Sequence, residues 1–288
     1  MSGLQLPEAA ATGGMLDAAR ALAVTQTTTY RWSLADDLAG YARAGIGGIG
    51  LYRPKLEELE EDLAIDAIRS SGLTVTSLSW VGGFTGSDGR KQDEALYDAG
   101  EAVRLAAAVG AGTVAVCSGG SGQHIGRHAR RLLNDALLPL CDMAAELDVR
   151  IALHPFASAG RPRSVITTID ETIEAIGAAD RSNLGFVFDI AEFGAETKLV
   201  ERVRDVASLV HVVRLSDRRL LTDRRRHFVD RSTPVAAVVN AFLDTGYDGP
   251  FEFDLWSDDD CSAADYEEVL ADCRFRFESF GVPSEIVL

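Results

Sequence analysis

The feature that most constrains the fold is a regular alternation of short apolar runs with longer segments of helical spacing. Eight runs have the length and composition of buried strands, at residues 21–24, 46–51, 73–78, 113–116, 149–153, 184–188, 209–215 and 250–255. Eight segments carry apolar residues at helical intervals, at residues 34–44, 57–70, 94–109, 126–147, 168–177, 198–207, 234–245 and 263–280. Strict alternation of this kind predicts a parallel sheet covered by helices.

Chain length then decides between the alternating folds. Eight strand–helix units within 288 residues match a (β/α)8 barrel, whereas a doubly wound sheet usually has fewer strands at this length. Glycine closes several predicted helices, for example at Gly45 and Gly110, where a left-handed residue is needed. We therefore predict an α/β protein with one (β/α)8 TIM barrel over residues 19–288, preceded by a flexible N-terminal arm over residues 1–18.

Charge and composition exclude several partners. The formal net charge of -16 opposes binding to nucleic acid or to anionic membrane surfaces. No apolar run approaches the roughly 20 residues that span a bilayer, and the N-terminus lacks the pattern of a secretory signal. The 4 cysteines are scattered, without a C-x-x-C pair, which disfavours disulfides and structural zinc. We expect a cytoplasmic protein that acts on a small molecule.

Polar residues follow the predicted strands, at the barrel end where TIM-barrel active sites lie. Tyr52 follows the second strand, His154 the fifth and Asp189 the sixth. Residues two positions apart in a strand share one face. On this pattern Asp189, Arg214 and Asp254 can point into one mouth. The further candidates at this end are Trp32, Trp80, Glu192 and Trp256. The three tryptophans are interpreted either as packing residues or as a platform for a sugar ring.

Several short motifs carry a resemblance to a known family. They lie at residues 27–29, 32–34, 42–46, 51–53, 76–78, 82–84, 163–166, 185–189, 216–217 and 246–249. Over nearly the whole chain, the sequence resembles the sugar phosphate isomerase/epimerase group of xylose-isomerase-like barrels. That superfamily also includes hydroxypyruvate isomerase, inosose dehydratase and endonuclease IV. The resemblance implies the barrel fold, and less specifically an isomerase or epimerase of carbohydrate metabolism.

The resemblance also implies a divalent metal site, from which this sequence departs. Family members use a glutamate in strand five, an aspartate ending strand six, a histidine or glutamine in strand seven and a glutamate in strand eight. The corresponding residues here are His154, Asp189, Arg214 and Asp254. A histidine usually stands three residues after the aspartate, where this chain has Glu192. Only the aspartate is unchanged.

Two interpretations of the altered site remain open. In the first, no metal is bound, and Arg214 forms a bidentate pair with Asp189 or Asp254 that replaces the positive charge of the metal. In the second, Arg214 swings aside and Mn²⁺, Mg²⁺ or Zn²⁺ binds a shifted site. That site would use His154, Asp189 and Asp254, with Glu192.

The loop after the seventh strand is rich in arginine, at residues 218, 219 and 224–226. The resemblance implies that an arginine here meets an anionic end of the substrate, which makes Arg226 a candidate binding residue. The alternative is a solvated loop paired with Asp217, Asp223 and Asp230.

Two classes of function follow. The first is an isomerase, epimerase or lyase acting on a sugar-like keto or hydroxy compound, in which His154 or Glu192 abstracts a proton and Arg214 stabilises an enediolate. The second is a barrel that has lost this chemistry and serves as a binding or partner subunit. Either protein could form a homo-oligomer or pair with a different subunit.

Overall fold

The strands close into a barrel in sequence order. A computed structural model describes residues 22–157, 163–194, 196–216, 234–255 and 265–280. Eight parallel strands, each paired with the next and the last with the first, form a closed barrel within these ranges. They are β1 (Leu22–Thr25), β2 (Gly48–Tyr52), β3 (Thr74–Gly82), β4 (Thr113–Cys117), β5 (Arg150–Leu153), β6 (Leu184–Asp189), β7 (Val210–Ser216) and β8 (Phe251–Asp254). The predicted (β/α)8 TIM barrel is confirmed.

Helices return the chain between the strands. The described ranges contain α1 (Leu34–Ala44), α2 (Arg53–Leu56), α3 (Glu61–Ser70), α4 (Gln92–Val109), α5 (Gly126–Glu146), α6 (Ile169–Ala179), α7 (Leu199–Val206), α8 (Val235–Asp244) and α9 (Tyr266–Ser279). The short helix α2 was not predicted. It starts directly after β2 with Pro54 in its first turn, where proline is well tolerated because no intrahelical N–H is lost.

Local signals place the helix ends. Ser33 caps the start of α1, where its side chain accepts from the amide of Asp36 while the Asp36 side chain bonds back to Ser33. Gly45 ends α1 with φ 70°, and Gly110 ends α4 with φ 80°. Only glycine adopts this left-handed conformation without strain, so the predicted helix-to-strand joints are confirmed.

Strand β3 is longer than predicted, and this affects the site. It runs to Gly82 rather than ending at residue 78, and its pairing register shifts against both β2 and β4. Ser79 and Trp80 therefore lie within the strand, where sequence reading placed them after it. Both side chains enter the barrel mouth from this strand, where Ser79 contacts Arg214 and Trp80 contacts His154.

The two faces of the strands differ in size and polarity. Outward residues such as Val114 and Phe188 join the main core beneath the helices. The inward residues Ala115, Ala152, Val187 and Val212 form a separate small cluster beneath Trp80. Small residues leave room inside the barrel for long polar side chains. A methyl group on Gly50, for example, would lie 3.2 Å from the Glu252 carboxylate.

Some predicted features lie outside the described residues. These are the N-terminal arm over residues 1–18, the arginine-rich loop with Asp217 and Arg226, and Trp256. Within the described ranges, no helix combines the length and the apolar character needed to cross a bilayer.

Candidate active site at the barrel mouth

A buried guanidinium occupies the centre of the site. Arg214 on β7 is 1% exposed and is among the largest fully buried side chains of the described residues. Its Nη1 lies 3.0 Å from Asp254 Oδ2, and its Nε lies 3.3 Å from Glu252 Oε2. Its Nη2 donates to Ser79 Oγ at 2.6 Å. Carboxylates of two different residues therefore share this cation.

The Arg214 pairing corrects part of the sequence interpretation. Arg214 and Asp189 are register partners on adjacent strands. Even so, the hydrogen-bonded carboxylates are those of Asp254 and Glu252 on β8. Of the two partners proposed for a bidentate pair, Asp254 is hydrogen-bonded to Arg214 and Asp189 is not, and the bond to Asp254 is single rather than bidentate. The second partner is Glu252, two residues before Asp254 on β8, which was not predicted as a site residue.

Threonines after β1 hold Asp254 in place. Thr25 Oγ1 and Thr27 Oγ1 lie 3.1 Å and 2.6 Å from Asp254 Oδ1, while Arg214 bonds Oδ2. Thr28 Oγ1 accepts from the amide of Leu255, directly after β8. Asp254 is therefore an oriented carboxylate, with both oxygens engaged.

Glu252 lies deeper inside the barrel. It is fully buried, with Oε1 accepting from Thr76 Oγ1 at 2.7 Å and Oε2 facing Arg214. A buried carboxylate needs both a counter-ion and hydrogen bonds to offset desolvation, and Glu252 has both. A sequence signal for this residue is Gly50 of β2, because a methyl group there would lie 3.2 Å from Glu252 Oε1.

A second polar pair joins β5 to β6. His154 is 2% exposed, and its Nε2 lies 3.1 Å from Asp189 Oδ2. The indole Nε1 of Trp80 donates to His154 Nδ1 at 3.1 Å. An indole N–H can only donate, so Nδ1 carries no proton and Nε2 must donate to Asp189. His154 is thus a neutral imidazole with both nitrogens engaged.

Electrostatics agree with this assignment of charge. Burial lowers the pKa of His154 below its ordinary value, and the charge of Arg214 lowers it further. Burial alone would raise the pKa of Asp189, but hydrogen bonds from His154 and Ser216 and the charge of Arg214 outweigh it, so the net direction is down. Burial opposes the charge on Arg214, yet Asp254 and Glu252 raise its pKa overall. Asp189 and Arg214 therefore stay ionised near neutral pH, while His154 stays uncharged.

A buried network behind the mouth supports the loop after β1. Lys55 Nζ is paired with Asp37, which also accepts from Gln26 and Thr29. Gln26 Oε1 in turn accepts from the amide of Tyr52 at the end of β2. Because the network joins β1, α1 and α2, it fixes the threonines that hold Asp254. Asp37 is one of two adjacent aspartates in the first turn of α1 and gave no signal for the network in the sequence.

The remaining predicted residues have different surroundings. Glu192 is half-buried, and its amide donates to Asp189 Oδ1 at 3.3 Å. Tyr52 and Trp80 pack edge to face, with ring centroids 6.0 Å apart. The ring of Trp32 instead contacts Tyr266 of α9. Arg226 and Trp256 lie outside the described residues.

The donor set does not fit a divalent cation in this arrangement. A guanidinium cannot ligate a metal and repels one, and Arg214 occupies the space between Asp254 and Glu252. Neither nitrogen of His154 offers a lone pair toward the mouth, because Nδ1 accepts from Trp80 and Nε2 faces Asp189. In the part of the chain that the structure describes, no three His, Cys, Asp or Glu side chains converge as ligands.

The closed eight-stranded barrel is a TIM barrel, and its charged groups lie at the carboxyl ends of the strands, where the active sites of this fold occur. The chain belongs to the xylose isomerase-like TIM barrel family, whose model matches residues 38–275. No curated protein sequence matches the chain significantly.

Solved structures share the fold, and some of them are sugar epimerases. Protein SMc04130 from Sinorhizobium meliloti 1021 is 20% identical with a TM-score of 0.77, over 91% of this chain and 98% of that one. The 3-keto-D-glucoside 4-epimerase YcjR from E. coli is 17% identical with a TM-score of 0.74, over 88% and 99%. The IolI protein, solved with a zinc atom, is 17% identical with a TM-score of 0.75, over 90% and 98%. At these identities the likeness concerns the fold.

Proposed function

We propose that this protein is an isomerase- or epimerase-type enzyme of the xylose isomerase-like family that acts on a sugar-like keto or hydroxy compound without a divalent metal. The observation that carries the proposal is the buried Arg214 guanidinium, paired with Asp254 and Glu252 at the strand ends. Sugar epimerases among the structural neighbours support the reaction class.

Arg214 supplies the electrostatic part of the reaction. Removing a proton next to a carbonyl develops negative charge on the carbonyl oxygen, and a fixed cation stabilises that charge strongly where water is excluded. Arg214 is buried and held by three hydrogen bonds, so its charge is fixed before the substrate arrives. The electrostatic field of the Arg214 guanidinium stabilises negative charge that develops on a substrate in the mouth.

Glu192 is the better proton acceptor of the two candidates. The only nitrogen of His154 able to accept a proton is already bonded to Trp80, so His154 acts as a positioning residue for Asp189. Glu192 is a half-buried carboxylate next to that pair. It takes the substrate proton, and the C–H electrons form the enediolate. In an isomerase Glu192 returns the proton to the neighbouring carbon, whereas in an epimerase a second proton donor protonates the same carbon from the opposite face. Loss of a hydroxyl from the enediolate would make the enzyme a lyase.

A second candidate, a non-catalytic binding or partner subunit, is supported by the hydrogen bonds themselves. Three of the five N–H groups of Arg214 and both nitrogens of His154 have partners within the protein. Groups that satisfy each other in this way also stabilise a barrel that has no reaction to perform.

Elemental analysis with and without chelation tests metal independence. The purified protein should contain less than about one tenth of an equivalent of Mn, Zn or Mg, and EDTA should leave its activity and ligand binding unchanged. Stoichiometric, tightly bound metal would overturn this part of the proposal.

Solvent deuterium exchange separates the enzyme from the subunit. In D₂O, the enzyme should incorporate deuterium next to the carbonyl of keto-sugars, and Glu192→Gln should slow incorporation by about 10²–10⁴-fold, the usual range for removing a general base. Exchange that is absent across a broad panel of keto-sugars and keto-acids would favour the binding subunit.

A further inference from the structure

Four aromatic side chains form a continuous row at the barrel mouth. Ring centroids lie 6.1 Å apart between Tyr30 and Tyr52, 6.0 Å between Tyr52 and Trp80, and 6.3 Å between Trp80 and Phe156. Each distance falls within the range of favourable aromatic pairs. We call these four residues the aromatic row. Tyr30 and Phe156 carried no functional prediction from the sequence.

The topology explains why the row is unbroken. Tyr30 follows β1, Tyr52 ends β2, Trp80 lies in β3 and Phe156 follows β5. The intervening strand β4 is followed by Ser118, Gly119 and Gly120, which carry a small side chain or none. Since β4 contributes only small residues there, Trp80 reaches Phe156 directly.

The aromatic row contacts His154 and Arg214, which with Asp189, Glu252 and Asp254 form the charged centre of the mouth. Phe156 lies 4.3 Å from the His154 ring at an interplanar angle of 35°. Trp80 donates to His154, and the Cζ of Arg214 lies 5.7 Å from the centroid of the Trp80 ring. A molecule bound above Arg214 and Asp189 would therefore lie beside aromatic surface on this side of the mouth.

The outermost side chain of the aromatic row, Tyr30, is more exposed to solvent than the other three. Tyr30 is 48% exposed, and Tyr52, Trp80 and Phe156 are half-buried. Single exposed apolar side chains are common on protein surfaces, but contiguous ones that border a polar cleft indicate a binding surface. Four rings in sequence extend further than the one face of a sugar ring that a single aromatic side chain covers.

The charge of the centre limits what binds beside the row. Among the described residues at this end, the carboxylates of Asp189, Glu252 and Asp254 lie around one guanidinium, that of Arg214. A phosphate dianion beside these carboxylates would be repelled, whereas hydroxyl and carbonyl groups can hydrogen-bond without that penalty and the single charge of an enediolate oxygen is offset by Arg214.

We infer that the aromatic row is a binding subsite for an aryl or extended apolar group, so that the substrate is a hydroxy or keto compound carrying such a group and no phosphate at its reacting end. This inference rests on the proposed function for the identity of the reacting end. It assigns the substrate class that the family match leaves open.

Matched ligand pairs test the inference by binding alone. Calorimetry with the full-length protein would compare phenyl with methyl β-D-glucopyranoside, and phenylpyruvate with pyruvate, with glucose 1-phosphate as the phosphorylated probe. In at least one pair the aryl member should bind about tenfold or more tightly than its partner, as expected for added aromatic stacking. Glucose 1-phosphate should bind more weakly than the aryl compounds.

Variants locate the effect at the row. Tyr30→Ala should reduce the aryl preference by about threefold to tenfold, and Tyr30→Phe should keep it, because the ring and not the hydroxyl makes the contact. Tyr97→Ala is the matched control, since Tyr97 is a 70% exposed tyrosine on α4. It should leave every affinity unchanged.

Three results would overturn the inference: no aryl preference in either pair, tighter binding of glucose 1-phosphate, or equal effects of Tyr30→Ala and Tyr97→Ala. Failure of the proposed function has a different outcome. In that case the aryl compounds would bind at the row, while solvent deuterium would enter none of the carbonyl compounds.

Discussion

At the residue scale, the buried charges of Arg214 and Glu252 depend on each other. Both side chains are at most 1% exposed, so each has lost nearly all contact with water. Removing one partner of such a pair leaves an uncompensated buried charge, whereas removing both leaves only Asp254 without its counter-ion. The stability of the barrel should therefore respond very differently to single and double substitution.

We expect Arg214→Met to lower the free energy of unfolding by about 3–5 kcal/mol, because Glu252 and Asp254 lose their counter-ion. The double variant Arg214→Met with Glu252→Gln should recover part of this loss. Urea unfolding of the two single variants and the double variant measures the coupling as a double-mutant cycle. Additive losses would mean that the two side chains do not act as a pair.

His154 should make the folded state sensitive to mild acid. Burial places the pKa of His154 below its value in the unfolded chain, so the unfolded chain takes up a proton first as the pH falls. The stability that neutral His154 contributes is present above about pH 6.5 and is lost as the pH falls through the lower pKa of the folded state.

Urea midpoints at pH 7.5 and pH 5.5 measure this dependence. His154→Gln should weaken it, because a glutamine amide can accept from Trp80 and donate to Asp189 without titrating. His124→Gln, at an exposed position before α5, is the control and should follow the wild-type curve. An unchanged pH dependence in His154→Gln would show that another group controls the acid limb.

At the element scale, the strands alternate between an apolar outer face and an inner face of small residues. Gly48 on β2 illustrates the constraint on the inner face. A methyl group there would lie 2.8 Å from the Cβ of Ala23 and 3.2 Å from the Cγ2 of Thr76. Neither neighbour can move away easily, because Ala23 belongs to the paired strand β1 and its Cβ has no alternative rotamer, while Thr76 is held by hydrogen bonds from its Oγ1 to Ile49 O and Glu252 Oε1.

Gly48→Ala should therefore destabilise the barrel by about 1–3 kcal/mol, the usual cost of overpacking. Gly177 is the matched contrast, since it lies in α6 and a methyl group added there would meet no neighbouring side chain within 4 Å. Gly177→Ala should stabilise by about 0.5–1 kcal/mol through its higher helix propensity. Thermal unfolding of both variants checks the pair, and a neutral Gly48→Ala would mean that the inner layer can expand.

At the scale of the whole molecule, the barrel presents polar side chains from different strands at one end, whatever their chemistry. Substitutions at the strand ends can therefore change the charges of the site without altering the fold. Here β5 ends beside His154, β6 ends in Asp189, β7 carries Arg214 and β8 ends in Asp254.

Combining His154→Glu with Arg214→His should create a divalent metal site. The substitutions remove the repelling guanidinium and add a carboxylate and an imidazole beside Asp189 and Asp254. Calorimetric titration with Mn²⁺ and Zn²⁺ should show one equivalent bound by the double variant, with at least tenfold weaker binding by the unaltered protein. Equal affinities would refute the view that these two residues account for the altered site.

The fold could be predicted from the sequence because the apolar periodicity and the glycines that end helices are local properties of the chain. Strand β6 and helix α1 were predicted almost to the residue, since each is bounded by its own signal, an apolar run ending in Asp189 or a serine cap with a closing glycine. The parity of β7 and β8 likewise predicted that Arg214 and Asp254 share the mouth. The roles of the predicted site residues in binding or catalysis stay predictions.

Only the tertiary structure decided which groups pair. Sequence could not choose between Asp189 and Asp254 for Arg214, because register and side-chain reach across neighbouring strands are long-range properties. It could not show that Trp80 fixes the tautomer of His154, since that hydrogen bond depends on the extension of β3. Nor could it join Tyr30 to Phe156 through the aromatic row. The alternation of strands and helices determined the barrel, and closure of the barrel brought distant residues close enough for their charges, hydrogen bonds and rings to form one site.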